Sequence, residues 1–223
     1  ATSTDTAGNT GAASAALTIT VDTTAPAAPS TPDLATANDS GSSNTDDITN
    51  NTTPIIAGTA AADSTVALTS DLDGVVGTVT ADGAGLWSTT PTLSEGAHNL
   101  TATSTDVAGN TSIASTALAV EIDTTAPAAP GTADLDAGSD TGTADDDDIT
   151  NNTTPVIAGT AEAGSTIELT SSLDGVVGTA TADGAGLWSV ATGTLSQGDH
   201  DLTSTATDAA GNTGLTSAVL TIT

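Results

Sequence analysis

The chain has 223 residues, 28 acidic side chains, two histidines and no lysine or arginine, for a formal charge of −28 at neutral pH. That balance argues against nucleic acid and anionic membrane surfaces as partners, so the counter-charge has to come from cations in solution. Cysteine is absent, which removes disulfides as a source of stability. No apolar run approaches the ~20 residues that cross a bilayer, so no direct membrane contact is expected.

Residues Ser14 to Val21 (SAALTITV) alternate small or apolar with polar side chains and are rich in Thr, Ile and Val, which predicts a strand. It runs into DTTAPAAP, Asp22 to Pro29, a stretch that returns letter for letter at Asp123 to Pro130. Two prolines fix φ and keep the residues before them extended, so this is a stiff joint. The offset of 101 also maps Pro54 onto Pro155 and Trp87 onto Trp188. After one inserted residue near Gly193 the offset is 102, and maps His98 onto His200 and Asp106 onto Asp208. The chain is therefore a tandem array: modules at 22–122 and 123–223, preceded at 1–21 by the C-terminal strands of a preceding repeat. A lone two-stranded hairpin is marginal in water, so residues 1–21 are expected to be supported by upstream chain or by a neighbouring molecule.

Each module opens, after an extended segment, with an acid-rich loop: Asp33 to Asp47 (DLATANDSGSSNTDD), matched by Asp134 to Asp148 (DLDAGSDTGTADDDD). Strands are then predicted at 53–59, 64–70, 75–80, 86–89, 97–105 and 115–122, with Asp-Gly turns at 71–74 and 82–85. Counting the extended segment, that makes seven short strands with a turn about every ten residues. No helical period is visible. The pattern predicts an all-β fold of tandem immunoglobulin-like β-sandwiches, about seven antiparallel strands each, in a linear rod. Trp87 and Trp188 are expected to anchor thin cores of small residues, and His98 to cap one end of the first core.

In a seven-strand sandwich successive turns alternate between the two ends. Asp22 and the turns at 60–63, 82–85 and 106–110 then share one end. The acidic loop, Asp71, Asp73 and Glu95 share the other. Stacked modules face acid against acid, with Asp123, Glu162, Asp183 and Asp208 of the second module opposite the first. Charges ~4 Å apart repel by on the order of 1 kcal/mol even in water, and a divalent ion reverses that sign. Carboxylates, amides and carbonyls without thiols select Ca²⁺. Its expected roles are to stiffen the joints and to fold the acidic loops, as extracellular modules bind it at ~10⁻⁴ to 10⁻³ M. The first module reads AAADST where the second reads AEAGST, so it lacks an acid at the place of Glu162 and is expected to bind fewer ions.

The phrases SNTDDITNNTTP, GTAEAGST, TADGAGLWS, GAHNLTATSTDVAGNTS and VEIDTTAP resemble the bacterial Ig-like repeats of giant secreted adhesins, including RTX-type biofilm and ice-binding adhesins. The resemblance covers the whole chain; DxAGNT occurs three times and DTTAP twice. It implies an extender, exported by a type I system, that holds a distal adhesive domain away from the bacterial surface for cell adhesion or biofilm formation. It also implies Ca²⁺ at linkers and loops. Carried onto matching positions, the joint ligands are Asp22 with Asp106 and Asn110, and Asp123 with Asp208 and Asn212. The loop ligands lie among Asp33, Asp39, Asp46, Asp47, Asp134, Asp140, Asp147 and Asp148. The glycine-rich nonapeptide of RTX calcium rolls is absent from this stretch.

No nucleophile or acid–base partner travels with the histidines, so the chain is not read as an enzyme. The expected partners are neighbouring Ig-like repeats of the same chain and Ca²⁺, and the expected location is extracellular, at the bacterial cell surface. Two rival readings remain. One is a module that binds carbohydrate or another cell, against which the scarcity of aromatics counts. The other is a self-associating filament, in which residues 1–21 are completed by strand exchange with another chain.

Overall fold

The computed structural model describes residues 1–144 and 147–223. The described residues contain fifteen strands and no helix. In the first module β1 (Asp33–Leu34), β3 (Ile56–Thr59) and β6 (Leu86–Thr89) form one sheet in the order β1-β3-β6. The facing sheet runs β2-β8-β7-β4-β5, from β2 (Ile48–Thr49), β4 (Thr65–Ser70), β5 (Gly74–Thr80), β7 (Gly96–Thr105) and β8 (Leu118–Ile122). The second module repeats the plan with β9 (Asp134–Leu135), β10 (Val156–Thr160) and β13 (Leu187–Ala191) in one sheet. Its other sheet holds β11 (Thr166–Ser171), β12 (Gly175–Thr181), β14 (His200–Thr207) and β15 (Leu220–Ile222).

Alternation sets the two faces. In β7, His98, Leu100, Ala102 and Ser104 point inward while Ala97, Asn99, Thr101 and Thr103 point outward. Leu68 stands opposite Ala102 in the ladder, and Val66 opposite Ser104. Across the sandwich they meet Ile56, Trp87 and Leu93 in a core whose counterpart is Ile157, Trp188 and Leu195. Both tryptophans are buried, as the repeat predicts. Val76 is an extra residue in β5, since Leu68 pairs with Gly77 and Thr69 with Val75; the same bulge recurs after Leu169.

Two elements differ from the sequence expectation. β2 lies just past the acidic loop and pairs parallel to β8, so the exit strand is gripped on both sides. The strand expected at Ser14 to Val21 is not formed. Residues 1–21 hold only a Thr4–Thr10 bridge, and Leu17, Ile19 and Val21 are 83%, 75% and 82% exposed. Their counterparts Leu118, Val120 and Ile122 are buried because β7 supplies a ladder and a core, and among the described residues no such neighbour stands beside 14–21.

Candidate cation loops and the joint between modules

The acidic loop folds around Asp39. The Asn38 and Asp39 N–H groups donate to the Ala35 carbonyl at 2.7 and 3.2 Å, which turns the chain and drives Asp39 inward until it is 7% exposed. Asp39 Oδ2 accepts the Asp47 N–H at 3.3 Å, whereas Oδ1 is sealed from solvent with no hydrogen-bond partner. A buried carboxylate oxygen left bare costs several kcal/mol in ordinary packing, and a cation is one way to satisfy it. Asp47 stands in the left-handed region at φ 59°, a conformation that costs a non-glycine residue on the order of 1 kcal/mol or more. Burial, and then the charges of Asp39, Asp33 and Asp46, push the Asp47 carboxyl above the usual range. Asp46 Oδ1 accepts the Ile48 N–H at 3.3 Å.

The second loop repeats the arrangement. Asp140 Oδ2 accepts the N–H groups of Asp147 and Asp148, each at 3.2 Å, and its Oδ1 is likewise buried and bare. Asp148 also stands at φ 59°, and Asp147 Oδ1 accepts the Ile149 N–H. Asp134 opens β9 as Asp33 opens β1. Asp145 and Asp146 of that acidic run lie outside the described residues. Among the described residues, no group of three or more His, Cys, Asp or Glu side chains stands close enough to hold a metal ion by itself. A hard cation in either loop would therefore draw on carbonyls, hydroxyls or water besides Asp39 and Asp47, or Asp140 and Asp148.

The residues expected as joint ligands are also brought together, but as a hydrogen-bonded staple. Asp106 Oδ1 accepts the N–H groups of Ala108 and Asn110, and Oδ2 accepts the Asn110 amide at 2.9 Å. The same amide nitrogen donates to the Asp22 carbonyl at 3.2 Å. Those bonds, led by the Asn110 side chain, hold the Asp106 carboxyl below the usual carboxylate range. Asn212 makes the equivalent bonds to Asp208 and to the Asp123 carbonyl at 2.9 and 2.8 Å. An amide N–H₂ aimed at the Asp22 or Asp123 carbonyl turns positive charge toward the place where a cation would sit. The loops fit an ion better than these staples do.

Across the joint the first loop seats the second module. A Cβ on Gly41, which stands at φ 94°, would lie 1.7 Å from the Ala209 carbonyl oxygen. Only glycine permits that approach. Ser40 Oγ donates to the Ala210 carbonyl at 2.6 Å, and the Ser42 N–H to that of Ala209 at 3.4 Å. Asp208 to Asn212 is thus the turn held in the seat. Beside it, Thr124 and Thr125 donate their hydroxyls to the two oxygens of Glu95 at 2.5 and 2.7 Å. Sequence reasoning put Glu95 and Asp208 at this junction but missed the seat itself, whose trace is a glycine at the same place in both loops, Gly41 and Gly142.

Each module also holds a histidine beside a serine and an aspartate. His98 Nε2 donates to the Ser94 carbonyl and Nδ1 accepts the Ser70 hydroxyl, both at 2.8 Å. Asp73 Oδ2 lies 3.7 Å from that same Nδ1. In a hydrolytic triad the serine and the carboxylate sit on opposite ring nitrogens, with the serine open to substrate. Here both sit on one nitrogen, and Ser70 is buried while its oxygen accepts the Leu72 and Asp73 N–H groups. The trio, repeated by Ser171, His200 and Asp174, closes the end of the core. Shallow grooves of about 540 Å³ flank both tryptophans, but the indoles are 4% and 3% exposed and offer no stacking face.

These are tandem immunoglobulin-like β-sandwich modules. The family model for the bacterial Ig-like domain matches residues 25–124 and 126–223, and the chain belongs to that family. Among solved structures, a biofilm-associated protein described by its BSP domain is 24% identical, aligned over 86% of this chain and 29% of its own, at a TM-score of 0.32. Fibronectin(III)-like modules of Clostridium thermocellum CbhA align over 78% of this chain and 86% of theirs, at 18% identity and a TM-score of 0.43. A set of titin domains aligns over 86% and 65%, at 10% identity and a TM-score of 0.43. Comparison with curated proteins gives no significant match.

Proposed function

We propose that these modules are the extender of a bacterial surface adhesin: spacer units in series that hold a distal adhesive domain outside the cell. The observation that carries this reading is the seat at the joint, where a loop of one module holds a turn of the next through backbone contacts that only glycine allows. A flexible linker would need no such seat. Ig-like modules are generally structural, and Ser70 with His98, like Ser171 with His200, is buried and spent on closing the end of the core. Residues 1–21, with their own copy of the Asp-x-Ala-Gly-Asn turn, belong in this reading to a preceding repeat.

Ca²⁺ is the ion we assign to the loops, through Asp39 with Asp47 and Asp140 with Asp148. When bound it supplies positive charge to a chain that has almost none of its own. The test is thermal melting and small-angle scattering of the whole chain in chelator, then in excess Ca²⁺, with Mg²⁺ as control. The expected result is a Ca²⁺-specific rise in Tm together with a maximum dimension that grows toward that of two stacked modules. Unchanged melting and shape would reduce the acids to a solvated surface.

A further inference from the structure

The acidic loop and β2 together do three things. They hold the bare, buried Asp39 Oδ1 next to Asp47. They grip the exit strand, since the Asp47 carbonyl accepts the Glu121 N–H at 2.9 Å and the Thr49 carbonyl accepts the Asp123 N–H at 3.0 Å. They also seat the next module through Ser40, Gly41 and Ser42. Short bonds tie the three together. Thr49 Oγ1 donates to the Asn38 carbonyl at 2.5 Å, Asn38 Oδ1 accepts the Ile55 N–H, and Ser40 Oγ accepts the Asn50 N–H at 2.9 Å while it donates to Ala210. Nothing in this set crosses from the carboxylates to the second module.

We infer that the divalent cation acts on the joint from inside the preceding module: held by Asp39 and Asp47, it sets the loop, and the loop in turn fixes both the exit strand and the seat for the next module. The inference rests on the calcium reading and departs from an ion that bridges two modules. Asp39 joins the cation on one side and the Asp47 N–H on the other, so ordering the carboxylate orders the residue that stands at φ 59° and whose carbonyl holds Glu121. The second loop has the same parts. Asp140 Oδ1 is bare, and the Asp148 carbonyl accepts the Thr223 N–H at 3.0 Å. Thr150 in turn donates its N–H to the Thr223 carbonyl at 2.8 Å. The second module thus repeats the bare carboxylate oxygen and the grip on its last strand.

The chain has no cysteine, so single labels can be placed cleanly. Spin labels on Thr78→Cys and Thr179→Cys, outward on the edge strands β5 and β12, report the distance between modules. The experiment compares the otherwise unaltered chain with Asp39→Asn and with Asp123→Asn, in chelator and in Ca²⁺, alongside calorimetric titration with Ca²⁺ and amide exchange at Glu121 and Asp123. The expected result is that Ca²⁺ narrows the distance distribution and slows those two amides by about tenfold or more in the unaltered chain and in Asp123→Asn. In Asp39→Asn both responses are lost and one binding event disappears from the titration. Narrowing kept in Asp39→Asn and lost in Asp123→Asn would overturn the inference in favour of a bridging ion, leaving the calcium reading intact. No Ca²⁺ binding in the unaltered chain would overturn both.

Discussion

Gly58 leaves room for one indole. A Cβ there would lie 2.8 and 3.0 Å from ring atoms of Trp87, and one on Gly159 would lie 2.6 and 2.8 Å from Trp188. Neither ring can retreat, since each is packed within a buried core. Gly58→Ala and Gly159→Ala are therefore overpacking changes, expected to cost about 1–3 kcal/mol each and to lower Tm; melting of each variant checks it. The opposite sign is expected at Asp63. It stands at φ 60° where the second module has Gly164 at φ 82°, so the first module meets a glycine's backbone demand with an aspartate. Asp63→Gly relieves a strain of about 1 kcal/mol and adds chain entropy of a similar but smaller size, so Tm should hold or rise slightly. A clear fall would mean that the Asp63 carboxylate has a role of its own.

At the scale of elements, the joint depends on carboxylates whose titration has a definite sign. The hydroxyls of Thr124 and then Thr125 hold the Glu95 carboxyl below the usual range, so its folded pKa lies under its unfolded one. Its contribution is present at neutral pH and is lost as the pH falls through that depressed value. The Asp71 carboxyl, bonded to Asn99, and the Asp73 and Asp174 carboxyls, bonded to Ser94 and Ser196, shift the same way. Asp47 shifts oppositely: its proton binds more tightly in the fold, so it favours the fold at low pH and opposes it once ionised. Tm in chelator should thus fall as the pH drops below about 4, the range where ordinary carboxylates protonate. Glu95→Gln should loosen the joint already at neutral pH, read as faster amide exchange near Thr124 and Thr125 with module Tm little changed.

Alternation made β4, β6 and β7 legible to within a residue, because each buries every second side chain. It failed at β2, whose two residues are strands only because β8 lies beside them, and at 14–21, where the right pattern has nothing to pair with. The acids of the site were legible as a set. Which of them is buried was not: Asp39 and Asp46 read alike in sequence, and only the turn on Ala35 sends Asp39 inward. Asp106 and Asn110 were legible as neighbours in one turn, but not the bond from the Asn110 amide nitrogen to the Asp22 carbonyl, which spans 88 residues.

For the whole molecule the governing quantity is a charge of −28 on a chain with no lysine or arginine. Like charges within a screening length repel, and that length shrinks from roughly 30 Å at 0.01 M salt to about 10 Å at 0.1 M. Folding gathers these charges, so in chelator Tm should rise as NaCl is added, continuously and without saturation at low concentration. A site behaves differently. Stabilisation by a bound ion grows as RT ln(1 + [L]/Kd), so Ca²⁺ near 10⁻³ M, which adds almost nothing to ionic strength, should raise Tm by an amount that NaCl at equal ionic strength cannot reach. Asp39→Asn with Asp140→Asn separates the two terms. The double variant should keep the NaCl response, since 26 acidic side chains would remain of the 28, and should lose most of the Ca²⁺ response. If instead Ca²⁺ and NaCl act alike at equal ionic strength in both proteins, the bare oxygens of Asp39 and Asp140 hold no ion and the acidity acts through screening alone.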